Sequence, residues 1–174
     1  MGTAGRNSKA TERIGKRPFR SRTLRESFSY AWEGLLYVYS SERNMRVHVF
    51  IASLVVSLCV AAGLDRIEFF MVVLAILGVL SAEVLNSLVE SLVDLLEPEY
   101  NLVAKRVKDI AAGGVLLTAG FSVVIGISAF YPVLLRLPDV WQNFCAYRWK
   151  WFAVCSLFFI LPSFWGMIKY THRV

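Results

Sequence analysis

The chain has 174 residues, of which 56% are hydrophobic, and a mean hydropathy of +0.53. A water-soluble domain of this length is normally less apolar, so composition argues for a membrane protein and leaves no soluble core of useful size outside the apolar runs. The formal net charge of +6 favours anionic surfaces; with such runs present, lipid headgroups are nearer partners than nucleic acid, and no nucleic-acid role is expected.

Residues 1–22 are basic and aperiodic and are expected to form a disordered tail. Thr23-Leu24-Arg25-Glu26 has the form of a capping box, in which two side chains satisfy each other's orphan amides at a helix start. Leu24, Phe28, Ala31, Leu35 and Val38 then share one helical face, with Arg25, Glu26, Ser29 and Glu33 away from it. This predicts an amphipathic surface helix lying on the cytoplasmic leaflet. Ser40-Ser41-Glu42 marks a break and a new N-cap, and the next helix carries Asn44, Arg46 and His48 through the headgroup layer into a first span.

Apolar runs at Val47–Gly63, Ile67–Glu90, Ile110–Leu135 and Trp151–Ile168 predict four membrane helices in an all-α, integral membrane helical bundle. The first run begins too late, after too polar a lead-in, for a cleavable signal peptide. LLEPEYNLVAKRVKD, with Pro98, reads as a cytoplasmic connection, and the third span is expected from Asp109. YPVLLRLPDVWQNFCAYRWK reads as an aromatic-rich outer loop, with Trp141, Tyr147, Trp149 and Trp151 as interface anchors. Small residues at Ala111–Gly114, Gly78/Ala82 and Ser122/Gly126 are expected where helices approach closely. Four spans put fifteen Lys/Arg on the side of the termini against four on the other, which makes that side cytoplasmic. Cys59, Cys145 and Cys155 have no metal-like or CxxC spacing and read as packing residues, with no structural disulfide expected.

The second run turns carboxylate-rich halfway along. At about 100° per residue, Glu83, Asn86, Glu90 and Asp94 fall within roughly 80° on one face. Ionisable groups at membrane depth are costly, so an aligned set marks a functional site by default. The bland alternative is a span that ends at Ala82 and continues as a surface helix with a solvated acidic face. Ile67–Ala82 is too short to cross ~30 Å of hydrocarbon at about 1.5 Å per residue, and Val84, Leu85, Leu88, Leu92 and Leu95 keep the opposite face apolar, which both argue against it. Such a carboxylate face suits a hard divalent cation, since Mg²⁺ typically takes one or two carboxylates plus substrate phosphates. Among apolar groups a carboxylate becomes a better base near neutrality, and Glu83, the deepest of the set, fits that role. Glu90, two turns nearer the cytoplasm, fits a metal ligand; Lys108, with Lys105 one turn before it, could neutralise phosphate oxygens. There is no P-loop, HExxH, GxSxG or His–Cys cluster, and His48 stands alone as an interfacial residue.

SFSYAWEGL at 27–35, SERNMRVH at 41–48, AEVLNSLVESLVD at 82–94 and AKRVKDIAAGGVLL at 104–117 resemble, in order and spacing, the prokaryotic diacylglycerol kinase and undecaprenol kinase family of small integral-membrane lipid kinases. The resemblance covers about residues 24–130. It implies transfer of the γ-phosphate of ATP, with Mg²⁺, to the hydroxyl of undecaprenol or diacylglycerol, at the cytoplasmic face of a bacterial inner membrane. On the same basis Glu83 is the general base and Asn86 positions reacting groups beside it. Glu42 and Glu90 hold the metal. Lys108 and Asp109 contact the nucleotide, with Tyr30 and Glu99, Tyr100 and Asn101 near it. The resemblance further implies a homotrimer with sites shared between subunits. Leu88 stands where the family usually has a small residue, and Gly114 where it usually has Ala. The family normally ends after three spans, so the chain divides into a tail (1–22), a lipid-kinase domain (23–135) and an additional loop and helix (136–174). Residues 136–174 lack the His and Arg motifs of a fused lipid phosphatase, so no second activity is expected. SERNMRVH is closer to the undecaprenol branch.

Two other classes compete. A small transporter or ion-pathway subunit also aligns carboxylates on membrane helices, but needs polar groups across the whole bilayer, and Phe69–Leu80 and Val115–Phe130 carry no charge. A membrane scaffold has no need of Glu83, Asn86 and Glu90 in one line.

Overall fold

A computed structural model describes residues 23–171, so the expected disorder of residues 1–22 lies outside the described part. The chain divides into two compact units, Met1–Leu36 and Tyr37–Val174. Helix α1, Leu24–Ser41, begins in the first and ends in the second. Thr23 Oγ1 accepts the Glu26 amide at 3.2 Å, as the capping-box signature requires. At the other end Glu42 is extended (φ −89°, ψ 123°), and this single residue separates α1 from α2, Arg43–Ala62.

Gly63 ends α2 in the left-handed region (φ 66°), where a residue without Cβ carries no steric penalty, and donates to the Cys59 carbonyl. Asp65 starts α3, Arg66–Leu96, with a complete capping box: its carboxylate accepts the Glu68 amide at 2.8 Å, and Glu68 accepts the Asp65 amide at 3.2 Å. Pro98 disfavours a helical residue before it, and α3 stops at Leu96. Asn101 then caps α4, Leu102–Leu135, by accepting the Val103 amide at 2.8 Å. The third span therefore starts seven residues before Asp109, because the sequence before Asp109 is polar but helix-compatible and already capped.

The expected aromatic loop is largely helical. From Leu137 the chain runs through α5 (Leu137–Asn143), a π-helical turn (Phe144–Arg148), α6 (Trp149–Cys155), a second π-helical turn (Ser156–Ile160) and α7 (Leu161–Thr171). Pro138 occupies the first turn of α5, where its missing amide costs nothing. Cys145 thus sits on a helical turn. Arg43–Ala62, Arg66–Leu96, Leu102–Leu135 and Leu137–Gly166 are each long and apolar enough to cross a membrane, and the described residues contain no strand. The protein is an all-α membrane bundle.

Cys59, Val72 and Ala129 form the buried centre where α2, α3 and α4 meet. The fourth helical stretch lies antiparallel along α2. Arg148 Nη1 donates to the Ala62 carbonyl at 3.0 Å, Ser53 and Ser163 hydroxyls meet at 2.9 Å, and the Phe50 and Phe164 rings lie 5.8 Å apart. The small residues behave otherwise than expected. A Cβ added at Gly78, Gly113, Gly114 or Gly126 meets nothing within 4 Å, so none marks a close helix approach within this chain.

Candidate active site

The carboxylate helix is turned inside out relative to a soluble one. Glu83 is 1% exposed and Asn86 6%, Glu90 is half-buried, and Asp94 is exposed, while Leu85, Leu88, Leu92 and Leu95 on the opposite face all lie open. A solvated surface helix would show the reverse, so the acidic face is a built interior feature. Glu83 lies about 24 Å along the axis from Ile67, inside a hydrocarbon layer of about 30 Å, whereas Glu90 at about 35 Å lies beyond it.

Glu83, Asn86 and Glu90 share one face of α3, and Glu42 stands at the start of α2. The charges of Glu42 and Glu90 both act on Glu83. Asn86 Nδ2 donates to Glu90 Oε1 at 2.8 Å, which fixes that carboxylate one turn beyond the amide. Ser87 Oγ donates to the Glu83 carbonyl at 3.1 Å and packs the same turn. Two acceptors in this group, Glu83 Oε2 and Asn86 Oδ1, are buried with no hydrogen-bond partner. Native structures rarely leave such atoms unmet, and here they are the atoms a ligand would satisfy. The Glu42 carboxyl is held above its ordinary value of 4.5, chiefly by partial burial, then by the Glu90 charge, with the Arg46 guanidinium opposing both.

Crowded carboxylates with unmet acceptors suit a cation. No group of three His, Cys, Asp or Glu among the described residues is placed to hold a metal on protein ligands alone. Glu42 and Glu90 would supply two carboxylates, a number that suits Mg²⁺ when phosphates complete its shell.

A second, polar hollow of about 270 Å³ lies at the α3–α4 turn, lined by Asp94, Glu99, Tyr100, Asn101, Lys105 and Lys108. Lys108 pairs with Asp94 and ties α4 to the turn of α3 that follows Glu90. Tyr100 is 80% exposed, while the Asn101 side chain already caps α4. Asp109 is exposed and does not line the hollow. Tyr30 lies on α1 and belongs to the first unit; the other candidates belong to the second. An apolar groove of about 450 Å³ runs between α2, α3 and α4; Val79 and Leu80 line it, one helical turn from Glu83.

Arg46, in the polar first turn that the sequence sends into the headgroup layer, is 1% exposed. The only hint in the sequence is its place one turn after Glu42, which by itself does not distinguish a buried arginine from a surface one.

The family model described as Prokaryotic diacylglycerol kinase matches residues 29–130, a stretch that holds all the candidates above and stops before the fourth span. Over 112 residues the chain is 38% identical to a diacylglycerol kinase of Synechocystis sp., covering 64% of this chain and 64% of the relative. Over 109 residues it is 36% identical to the undecaprenol kinase of Bacillus subtilis, covering 63% of this chain and 89% of the relative. Over 95 residues it is 27% identical to the diacylglycerol kinase of Escherichia coli K12, covering 55% and 78% respectively. The match thus spans a little under two thirds of the Synechocystis relative's length. No solved structure matches the chain. With more than half its length matched by the family model, the chain belongs to the prokaryotic diacylglycerol kinase family.

Proposed function

We propose that this chain is a lipid kinase that transfers the γ-phosphate of ATP to the hydroxyl of a membrane lipid, undecaprenol or diacylglycerol, at the cytoplasmic edge of a bacterial inner membrane. The observation that carries the proposal is Glu83. It is a fully buried carboxylate with an unpartnered oxygen, held one turn from an apolar groove on one side and an Asn86–Glu90 pair on the other. The acceptor's hydrocarbon chain occupies the groove and brings its hydroxyl to Glu83, which takes the proton as the oxygen attacks the γ-phosphorus; the bond from that phosphorus to the β–γ bridging oxygen breaks and ADP leaves. Asn86 orients the reacting groups. The hollow beside Lys108 receives the nucleotide, with Glu99, Tyr100 and Asn101 at its rim and Asp109 just outside it. Glu42 and Glu90 would hold Mg²⁺, which when bound neutralises phosphate charge. Phosphoryl transfer asks for positioning and charge neutralisation more than covalent chemistry, and these residues supply both.

Residues 23–135 form the kinase domain in this reading, 136–174 an added helix, and the active particle is a homotrimer. A transporter is disfavoured because the buried charges gather at one end of the spans and leave Phe69–Leu80 and Val115–Phe130 uncharged. Purified protein, labelled ATP, Mg²⁺ and a mixed pool of lipid alcohols, with products separated by thin-layer chromatography, test the proposal. Label on undecaprenol or diacylglycerol is expected; label confined to inorganic phosphate refutes it.

A further inference from the structure

The proposed chemistry uses Glu83 and leaves the other charged side chain buried to 1% exposure, Arg46, without a role. A guanidinium removed from water is costly unless its donors are met, so its partners show what it is for. Nη1 donates to the Ser40 carbonyl at 2.9 Å and to the Tyr39 carbonyl at 3.5 Å. Both belong to the last turn of α1, where carbonyls lack intrahelical donors and the helix dipole is negative. Arg46 itself sits in the first turn of α2, and its amide donates to the Glu42 carbonyl. The side chain therefore bridges the bend at which Glu42 stands extended between two helices. Nε is buried and has no partner, so the fork is not saturated by these carbonyls.

We propose that Arg46 is a positioning residue for the cation site: by clamping the last carbonyls of α1 to the first turn of α2, it holds the Glu42 carboxylate where it can share a metal with Glu90. The inference rests on the reading that Glu42 and Glu90 are the metal ligands. A lysine cannot reproduce the clamp, because a guanidinium offers donors in a rigid planar fork and an ammonium offers a point charge on a flexible stem. A helix-joining role alone would lower stability and leave the metal affinity of the folded protein unchanged. Positioning instead predicts a weaker metal site in a protein that still folds.

The test uses the full chain in detergent micelles with Mn²⁺ and β,γ-methylene ATP, following the electron paramagnetic resonance of the protein-bound metal, with circular dichroism and melting to establish folding. Supporting partners of metal ligands typically contribute about 10- to 100-fold to metal affinity, so Arg46→Ala is expected to weaken Mn²⁺ binding at least about tenfold. Arg46→Lys, which keeps the charge and one donor, is expected to fall between that variant and the wild type. In the kinase assay the Mg²⁺ requirement of Arg46→Lys rises while its lipid KM is unchanged. Wild-type metal affinity in folded Arg46→Lys overturns the inference even if Arg46→Ala does not fold. Loss of binding in Glu42→Gln and Glu90→Gln together with unchanged Arg46 variants overturns this inference alone. Retained binding in Glu42→Gln and Glu90→Gln overturns the cation reading and the inference with it.

Discussion

Glu83→Gln separates catalysis from folding. The amide is nearly isosteric with the carboxylate, so the buried turn around Ser87 and Asn86 has no cavity to absorb. It also removes the cost of a carboxylate with an unpartnered oxygen in the interior, so stability should be equal or higher. What disappears is the proton acceptor. General-base catalysis is worth roughly 10²- to 10⁴-fold, about 3–5 kcal/mol of barrier at about 1.4 kcal/mol per decade. The expected outcome is kcat reduced by at least about a hundredfold, an unchanged KM for ATP and an unchanged or raised melting temperature. Glu83→Asp keeps the base but withdraws it by one methylene, and should fall between the two. The assay is label transfer from ATP to lipid in mixed micelles, alongside thermal melting of each variant. Full activity in Glu83→Gln would remove the base assignment; an unfolded Glu83→Gln would mean that the carboxylate is structural.

Three further outcomes follow from the same geometry. Glu90→Ala should raise the Mg²⁺ requirement about tenfold or more, read from a Mg²⁺ titration of phosphoryl transfer; an unchanged titration removes Glu90 from the metal site. Arg148→Ala deletes the donor that caps the Ala62 carbonyl and should lower stability by about 1 kcal/mol in a detergent melt without changing kcat, whereas lost activity would couple the fourth helix to catalysis. Glu42 is pushed above 4.5 in the folded protein, so folded protein holds that proton more tightly than unfolded. Its contribution to stability is therefore present below 4.5 and is lost as pH rises through the raised value; Glu42→Gln should flatten that slope in a metal-free melting series, and an unaltered slope refutes it.

The spans were legible because hydrocarbon thickness imposes long apolar runs: apart from Gly63, the first three runs lie within the observed α2, α3 and α4, although the helices extend beyond them by up to eight residues at their polar ends. Helix ends were less legible, because caps and not hydropathy set them. Asn101 begins α4 within a polar stretch that reads as a connection, and the aromatics of 137–150 suggest a loop although their backbone stays helical. The common inward face of Glu83, Asn86 and Glu90 was legible from period alone, since polar groups on an apolar helix announce their face. Lys108 was singled out by its charge beside Lys105, whereas Glu42 needed the motif order, because its partners come from elsewhere in the chain. Arg46 was not legible: spacing reveals a neighbour on the same helix but not that its guanidinium donates to the Ser40 and Tyr39 carbonyls before the bend.

Membrane vesicles of opposite orientation, loaded with lipid alcohol and given impermeant labelled ATP outside, test the central idea that alcohol and nucleotide meet at the inner edge of the bilayer. Inverted vesicles, with the cytoplasmic face outward, should label the lipid and lose that labelling with Glu83→Gln. Equal labelling in right-side-out vesicles, or none in either, would contradict the account.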